Sequence, residues 1–376
     1  KMKRLLSLLF VLSLCLVVVA VQCSPAPTEA PPKEAPAAAQ PAADYAAYTP
    51  PYGAFSPVAL KAGSQASCQT VAFKPGNKPN VAYMPPATEF NYYMAIGEGV
   101  KAQAAQLGAD TFMLAPQSGA DIEGQMGMIQ DVISKKVDAI ILSTHDENAA
   151  APLVKRAVDA GIAVIIVNSD IPNFPAPVHG VVGYSQRRGT YKMGMYVAGM
   201  FQGVAKVGVL EGQPGYHSTE RIGGYLDALK QFPGMQIVAS LPTAWNVETG
   251  NKAMMDMLQA HPEIQVIVTA NDYISIGAAK AAESMNRKDV ANFGNDGDTT
   301  GLEDIYNGRW TGTVNTTPFV MGEVVMQVAY DCLNGKYPGG WVETPVVIVD
   351  KTNAVNYLCH PETLYPKPSK TYDCPK

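Results

Sequence analysis

The sequence predicts an α/β protein with two doubly wound parallel sheets. From Asn80 onward, short β-branched and apolar runs alternate with segments of helical apolar spacing, and a second series of the same kind begins near Lys206. Strands separated by single helices form right-handed βαβ units and a parallel sheet. Two series therefore predict two lobes, and the roughly three hundred residues from Ala66 to Lys376 are enough for two domains of ordinary size.

The first series contains four buried strands and three helices. Gly108 and Gly161 stand where a helix should end before the next strand. The predicted strands are Val81–Met84, Thr111–Leu114, Ala139–Leu142 and Ala163–Val167, and the predicted helices are Tyr92–Gln106, Ile122–Ser134 and Ala149–Ala160.

The second series repeats this arrangement. Its predicted strands are Lys206–Leu210, Gln236–Ala239, Val266–Thr269 and Val290–Phe293, and its helices are Ser218–Gln231, Val247–His261 and Ile274–Met285. Open parallel sheets bind ligands beyond the carboxyl ends of their strands. The pattern alone leaves open whether the two lobes share one cleft or carry separate sites.

The first part of the chain is predicted to direct export. Met2-Lys3-Arg4 precedes an apolar run from Leu5 to Val21 and then Cys23, so residues 1–23 are a signal peptide with an end similar to bacterial lipoprotein signals. Cys23 is the predicted lipidation site, although Ala20-Val21-Gln22 departs from the usual residues before the cysteine. The alternative is an uncleaved anchor helix. Both place the protein at the outer face of the cytoplasmic membrane or in the periplasm.

Residues 24–65 are predicted to be a tether. Pro and Ala dominate this segment and it lacks apolar periodicity, so it cannot bury enough surface to offset its ordering entropy. The membrane is therefore an expected partner through a lipid anchor, and the folded body is expected to act at or beyond it as a monomer.

Charge and cysteine content exclude several classes of protein. The formal net charge is −5 and no long basic run follows the signal, so no nucleic-acid partner is expected. Six cysteines are present, and after Cys15 and Cys23 an even number remains, which favours disulfides in an exported protein. Three pairings are possible for the remaining four, which are Cys68, Cys332, Cys359 and Cys374. The sequence contains no C-x-x-C pair, which argues against a redox or zinc site.

Enzyme motifs are missing from the sequence. It lacks G-x-G-x-x-G after a strand, a Walker loop, G-x-S-x-G and H-E-x-x-H. Its five histidines have no metal-ligand spacing, and Asn295 to Asp298 does not follow the EF-hand pattern. We therefore expect no enzyme activity, cofactor or metal site. A repressor would need a helix-turn-helix where the signal and tether stand.

Several stretches resemble one family. Four stretches carry the resemblance: Phe90-Asn91-Tyr92-Tyr93 with Gly97-Glu98-Gly99, Glu220 to Tyr225, Ala260 to Ile264 followed by Thr269-Ala270-Asn271-Asp272, and Phe293 to Gly297. They are similar to motifs of the type I periplasmic binding proteins, in particular the ribose- and galactose-binding branch. The resemblance covers about Asn80 to Tyr357. It implies two lobes joined by a three-strand hinge and a shared cleft.

The resemblance also implies boundaries and a disulfide pattern. It places the N-lobe at 79–183 plus 316–343, the C-lobe at 184–315 plus 344–358, and a C-terminal extension at 359–376. Cys332 would then lie late in a helix near Cys68, and both remaining cysteines would follow the last C-lobe strand. The implied disulfides are Cys68–Cys332 and Cys359–Cys374.

A sugar site needs flat aromatic surface for C–H faces and polar groups for a rim of hydroxyls. By resemblance Tyr92, Tyr93 and Trp245 supply the surface, while Arg221, Asn271 and Asp296 bind hydroxyls. The alternatives are ordinary burial for the aromatics, a surface salt bridge for Arg221 and a turn or helix cap for Asp296.

Departures from the ribose pattern complete the predicted site. Asn168 and Ser169 replace an Asp-Arg pair, Thr316 replaces an amide, and Glu89 and Phe90 stand where polar amides are usual. These changes favour another pentose, a hexose or a sugar alcohol over ribose. Further predicted ligand-binding residues are Asp170, Asn315, His145 and His217.

The predicted function is solute capture. The resemblance implies an extracytoplasmic solute-binding protein that takes up a monosaccharide or sugar alcohol by hinge closure and delivers it to an ABC transporter permease. The alternative is a receptor of the same fold for a nucleoside or a furanosyl signalling molecule, or a protein that presents its ligand to a membrane sensor kinase.

Overall fold

The computed structural model describes residues 58–375 of the chain. Within this range the strands form two six-stranded sheets, one in each lobe. The predicted fold class, two doubly wound α/β lobes joined by a three-strand hinge, is confirmed.

The N-lobe sheet is parallel throughout. Its strands are β1 (Asn80–Met84), β2 (Asp110–Met113), β3 (Ala139–Leu142), β4 (Ala163–Val167), β5 (Gly180–Gly183) and β11 (Trp341–Glu343). Their order is β11-β5-β4-β3-β1-β2. Every residue of β3 and β4 is buried, as expected for central strands whose sheet is covered by helices on both faces.

The C-lobe sheet is parallel except at one edge. Its strands are β6 (Val204–Glu211), β7 (Gly234–Pro242), β8 (Val266–Thr269), β9 (Ala291–Asp296), β10 (Gly312–Asn315) and β12 (Val347–Asp350). Their order is β12-β10-β9-β8-β6-β7, and only β12 pairs antiparallel with its neighbour among these strands.

Helices pack on the sheets in each lobe. The N-lobe contains α1 (Asn91–Leu107), α2 (Ile122–Ser134), α3 (Glu147–Asp159) and α9 (Pro318–Leu333). The C-lobe contains α4 (Gln186–Met200), α5 (Tyr216–Leu229), α6 (Val247–Ala260), α7 (Asp272–Ser284), α8 (Thr299–Tyr306) and α10 (Val355–Leu358). Helices α1 and α9 approach closely at Gly99, where a Cβ atom would collide with the carbonyl oxygen of Phe319.

The chain crosses between the lobes three times. The crossings follow β5, β10 and β11, after Gly183, Asn315 and Glu343. Strands β5 and β11 pair at one edge of the N-lobe sheet, and β10 and β12 pair at one edge of the C-lobe sheet, so the three crossings lie side by side.

Two disulfide bonds hold the ends of the described chain. Cys68 is bonded to Cys332 in α9, and Cys359 is bonded to Cys374. Both pairings implied by the family resemblance are confirmed. Between Cys359 and Cys374, the hydroxyls of Ser369 and Tyr372 donate to Glu303 Oε1 of α8 at 2.6 and 2.9 Å. The C-terminal segment therefore packs on the C-lobe.

The folded body begins earlier than the predicted end of the tether. Val58 pairs with Trp341 of β11, the amide of Lys61 donates to Pro172, and Gln65 Nε2 donates to His179 O at 2.8 Å. The predicted tether of residues 24–65 is therefore wrong over its last eight residues, because their backbone groups find partners in the N-lobe. The predicted signal peptide, Cys23 and the rest of the tether lie outside the described residues.

The helices of the described chain are too short or too polar to span a lipid bilayer. Between residues 58 and 375, none of them combines the length and the apolar character needed to cross a membrane.

Candidate functional site

The cleft between the lobes is formed at the carboxyl ends of the strands. Eleven residues line about 390 Å³ of space not filled by protein atoms. Those of the N-lobe wall follow β1, β3 and β4, and those of the C-lobe wall follow β6 to β9, as expected for open parallel sheets. The N-lobe wall is Phe90, Tyr92, Tyr93, His145 and Asn168, and the C-lobe wall is His217, Arg221, Trp245, Asn271, Tyr273 and Asp296.

A buried ion pair lies at the centre of the C-lobe wall. Arg221 Nη1 donates to Asp296 Oδ1 at 3.0 Å and to Ala270 O at 3.1 Å, while its Nε donates to Gln186 Oε1 at 2.9 Å. Both side chains of the pair are only 5% exposed. No described residue accepts from Nη2 of Arg221 or donates to Oδ2 of Asp296. These two atoms remain available to a ligand.

The electrostatics keep Arg221 charged. Burial alone would lower its pKa, but the neighbouring Tyr184 and Asp296 raise the pKa above the ordinary value. Burial raises the pKa of Asp296, and Arg221 opposes that shift. A charged guanidinium beside a carboxylate presents fixed donors and acceptors, which suits neighbouring hydroxyls on a ligand.

Trp245 is held in an uncommon backbone conformation. Its φ is 64°, a left-handed value that is an outlier for a bulky residue and occurs mainly at functional sites. Asn271 Nδ2 donates to Trp245 O at 3.1 Å, and the indole lies against Gly212, where a Cβ atom would collide with the ring. The Arg221 guanidinium lies 5.6 Å from the ring centroid. The indole is thus fixed in the cleft as an aromatic surface.

The polar groups of the N-lobe wall bind one another. Tyr92 donates its hydroxyl hydrogen to Asn168 Oδ1 at 2.9 Å, and Asn168 Nδ2 donates to the Tyr93 hydroxyl at 3.2 Å. The hydroxyls of Tyr92 and Thr316 lie 2.8 Å apart. Burial raises the pKa of both tyrosines, so they stay protonated. Asn168 therefore positions the two rings through its amide oxygen and one hydrogen of its amide nitrogen.

Two histidines contribute neutral imidazoles. His145 Nδ1 lies 3.2 Å from Gly119 O, and burial lowers the pKa of this histidine. Burial and then Arg221 lower the pKa of His217 to about 3. The His217 Nε2 atom lies 3.8 Å from Glu147 Oε1 of the opposite lobe. With these imidazoles neutral, Arg221 and Asp296 are the charged members of the lining.

Tyr273 joins the two walls. Its hydroxyl accepts a hydrogen bond from the backbone amide of Asn91 in the N-lobe at 2.7 Å and donates to Asp298 Oδ2 in the C-lobe at 3.3 Å. Its ring contacts Phe90 edge-on, with 5.7 Å between centroids. Tyr273 was not predicted from the sequence as a residue of the site. Its position in the first turn of a helix that starts at a strand's carboxyl end was the available signal.

Four predicted ligand residues lie outside the lining and hold the surrounding loops. Glu89 Oε1 accepts from the Gly119 amide at 2.7 Å. Asp170 accepts from the Tyr216 hydroxyl at 3.1 Å and from the Gln186 amide, also at 3.1 Å. Asn315 Oδ1 accepts from the Thr317 amide at 2.8 Å, and the Thr316 hydroxyl donates to Asp296 O at 2.9 Å. The other predicted ligand-binding residues all line the cleft.

Comparison with known proteins identifies the family. A model described as a periplasmic binding protein domain matches residues 81–337, well over half of the chain. The chain belongs to this family. Membership implies an extracytoplasmic location and a role in binding rather than catalysis.

Relatives of this periplasmic binding protein are named for sugar binding. It is 29% identical over 285 residues to the D-ribose/D-allose-binding protein of Pseudomonas aeruginosa. The aligned region covers 72% of this chain and 89% of that protein. It is 26% identical over 256 residues to the ribose import binding protein of Bacillus subtilis, covering 68% and 82% of the two chains.

A solved structure shares both sequence and fold. The periplasmic solute binding protein of an ABC transporter from Actinobacillus succinogenes, with bound D-allose, is 27% identical and superimposes with a TM-score of 0.71. The match covers 74% of this chain and 100% of the Actinobacillus succinogenes protein. The comparison thus extends over both lobes and the cleft between them.

Proposed function

We propose that this protein captures a small uncharged monosaccharide or sugar alcohol in its interlobe cleft and delivers it to an ABC importer. One observation carries the proposal. The buried Arg221–Asp296 pair leaves one guanidinium nitrogen and one carboxylate oxygen without described partners, beside the fixed indole of Trp245. Such a charged donor and acceptor next to an aromatic face fits neighbouring hydroxyls on a ring with C–H faces.

Capture would proceed by closure of the lobes. Contacts that cross the cleft, such as the hydrogen bond from the Asn91 amide to Tyr273, form when the lobes approach each other. A ligand that binds both walls favours the closed form by its difference in affinity for the two forms. The relatives named for ribose and allose and the D-allose complex support a sugar as this ligand.

A thermal-shift screen tests the ligand class. Pentoses, hexoses, sugar alcohols and nucleosides are added at equal concentration, and a ligand that binds only the folded protein raises its melting temperature. We expect stabilisation by at least one sugar or sugar alcohol, and none in Asp296→Asn, which keeps the size of the side chain but removes its charge. Stabilisation by nucleosides alone would contradict the proposal.

We expect lipidation at Cys23, a permease as the partner that receives the ligand, and a monomer in solution. Incorporation of a labelled fatty acid into the full chain, compared with Cys23→Ser, tests the anchor. Light scattering tests the monomer, and ligand-dependent binding to the permease of the same transport system tests the partner.

A further inference from the structure

Asp272 is a fully buried carboxylate that does not line the cleft. It is the first residue of α7, and 0% of its surface is exposed. Its Oδ2 atom accepts from the backbone amides of Gly297 at 2.8 Å and Asp298 at 2.9 Å. Its Oδ1 atom accepts from the Thr313 hydroxyl at 2.5 Å. One side chain therefore joins the start of α7 to the loop after β9 and to β10.

The loop after β9 begins at a residue of the site. Asp296 ends β9 with a φ of 155°, a positive value that is uncommon for a residue other than glycine. Gly297 follows with a φ of 86°, and a Cβ atom there would lie 2.2 Å from Asn315 Oδ1. Backbone of this kind persists only where the surrounding groups hold it. Asp272 holds it at the two amides that directly follow Asp296.

The backbone at Asp296 sets the direction of its carboxylate. On one side, the amide of Thr316 donates to Asp296 O at 3.0 Å. On the other side, Asp272 binds the next two amides. With the backbone held in this way, Asp296 Oδ1 lies 3.0 Å from Arg221 Nη1, and Oδ2 has no partner among the described residues.

Stabilisation of its own helix does not account for the contacts of Asp272. The N-cap of α7 is Asn271, whose Oδ1 accepts from the Ile274 amide at 2.9 Å. The hydrogen bonds that Asp272 accepts within the described chain come instead from β10 and from the loop after β9. The geometry thus connects Asp272 to the ligand site through the backbone of Asp296.

We infer that Asp272 is a positioning residue of the ligand site. By binding the amides of Gly297 and Asp298, it fixes the backbone at Asp296 so that this carboxylate faces the cleft before a ligand arrives. The inference rests on the proposed function, because a ligand hydroxyl is the expected partner of Asp296 Oδ2. Groups that are held in place before binding need not be ordered by the ligand, which favours affinity.

Hydrogen exchange of the wild-type protein, followed by NMR, tests whether the loop is held in advance. Asp272 and the loop belong to the same lobe, so their hydrogen bonds should exist without ligand. We expect the Gly297 and Asp298 amides to exchange at least about 100-fold more slowly than in an unstructured chain, with and without a bound sugar. Protection that arises only when sugar is added would overturn the inference.

Two substitutions at Asp272 test its effect on affinity by isothermal titration calorimetry. Asp272→Ala removes the acceptor of both amides, and we expect the affinity for the best sugar to fall about 10–100-fold, the value of one hydrogen bond to a charged group. Asp272→Asn retains the acceptor, because its oxygen can bind both amides while its nitrogen donates to the Thr313 hydroxyl. We expect Asp272→Asn to bind within about threefold of the wild type and to keep both amides protected.

The matched control is Asn353→Ala, elsewhere in the C-lobe. Asn353 is also buried, and it accepts from the Asp350 amide at 2.9 Å and donates to Ile348 O at 3.0 Å. We expect this variant to lose stability in urea and to keep the affinity of the wild type. An equal loss of affinity in Asn353→Ala and Asp272→Ala would show that affinity only follows stability, and would overturn the inference.

The remaining outcomes are also decisive. Wild-type affinity in folded Asp272→Ala, or a loss of more than about tenfold in folded Asp272→Asn, would overturn the inference and leave the proposed function intact. If Asp272→Ala does not fold, the exchange of the wild-type amides and the affinity of Asp272→Asn decide. Binding of no sugar or sugar alcohol by the wild type would overturn the proposed function, while exchange of the two amides would still test whether Asp272 holds the loop.

Discussion

The N-lobe and C-lobe walls of the cleft both combine aromatic and polar side chains, but among these lining residues the ion pair belongs to the C-lobe wall. In the N-lobe wall, Asn168 binds the hydroxyls of Tyr92 and Tyr93, so these groups stabilise one another. In the C-lobe wall, Arg221 and Asp296 bind each other and still present unused atoms to the cleft. A side chain can therefore line the cleft without being available to contact a ligand. We expect affinity to depend on the C-lobe wall and folding stability to depend on the N-lobe wall.

The largest expected effect is loss of binding in Arg221→Ala. Removing one partner of a buried ion pair leaves Asp296 uncompensated, at a cost of about 3–5 kcal/mol. We expect binding of the best sugar to become undetectable by calorimetry, while Lys252→Ala, in an exposed helical ion pair, binds like the wild type. Affinity within threefold of the wild type in Arg221→Ala would refute our account of the C-lobe wall.

Tyr92→Phe should show the opposite behaviour. The substitution leaves the buried Asn168 Oδ1 without its 2.9 Å hydrogen bond, so the free energy of unfolding should fall by about 1–3 kcal/mol. The aromatic surface remains, and affinity for the best sugar should change by less than about threefold. Urea unfolding and calorimetry measure the two effects. A large loss of affinity with unchanged stability would break the comparison.

A pH dependence should arise from His217. Burial and then Arg221 lower its pKa to about 3, so this histidine stays neutral in the folded protein at pH values where it is protonated when unfolded. The unfolded state then binds more protons, and stability falls as pH drops below about 6.5. Between pH 6.5 and 5 this group should cost about 2 kcal/mol. Urea unfolding of His217→Gln should show a loss smaller by that amount, and an unchanged pH dependence would contradict the prediction.

The smallest expected effect concerns the contact that joins the walls. Tyr273→Phe removes the 2.7 Å hydrogen bond from the Asn91 amide and weakens the closed form by about 1 kcal/mol. Ligand release, measured by stopped-flow fluorescence, should be about fivefold faster. The matched control is Tyr196→Phe, which loses a 2.6 Å bond to Asp350 within the C-lobe. Equal release rates in both variants would show that Tyr273 does not stabilise closure.

The sequence predicted best those strands that are continuous apolar runs. Strands β3, β4 and β8 have the predicted bounds, because runs such as Ala163–Val167 are buried on both faces. Strands β5 (Gly180–Gly183) and β10 (Gly312–Asn315) were not predicted from residue pattern. Each has only four residues with glycine at an end, and their place comes from pairing with neighbouring strands.

The sequence predicted which residues lie near the cleft better than it predicted which side chains point into it. Arg221, Trp245 and Asp296 line the cleft because strand ends meet there. Glu89 and Asp170 also follow strand ends, but their side chains turn away to bind Gly119 and Gln186. Proximity to a strand end does not determine where a carboxylate finds its donors, since those partners are distant in sequence.

The disulfide between Cys68 and Cys332 has a mechanical consequence. Together with the pairing of Val58 and Trp341, it fastens the beginning of the described chain to the N-lobe. A pull applied through the preceding chain would therefore load that lobe alone. The C-lobe, whose covalent attachment is the three crossings, could swing under thermal motion without working against such a load.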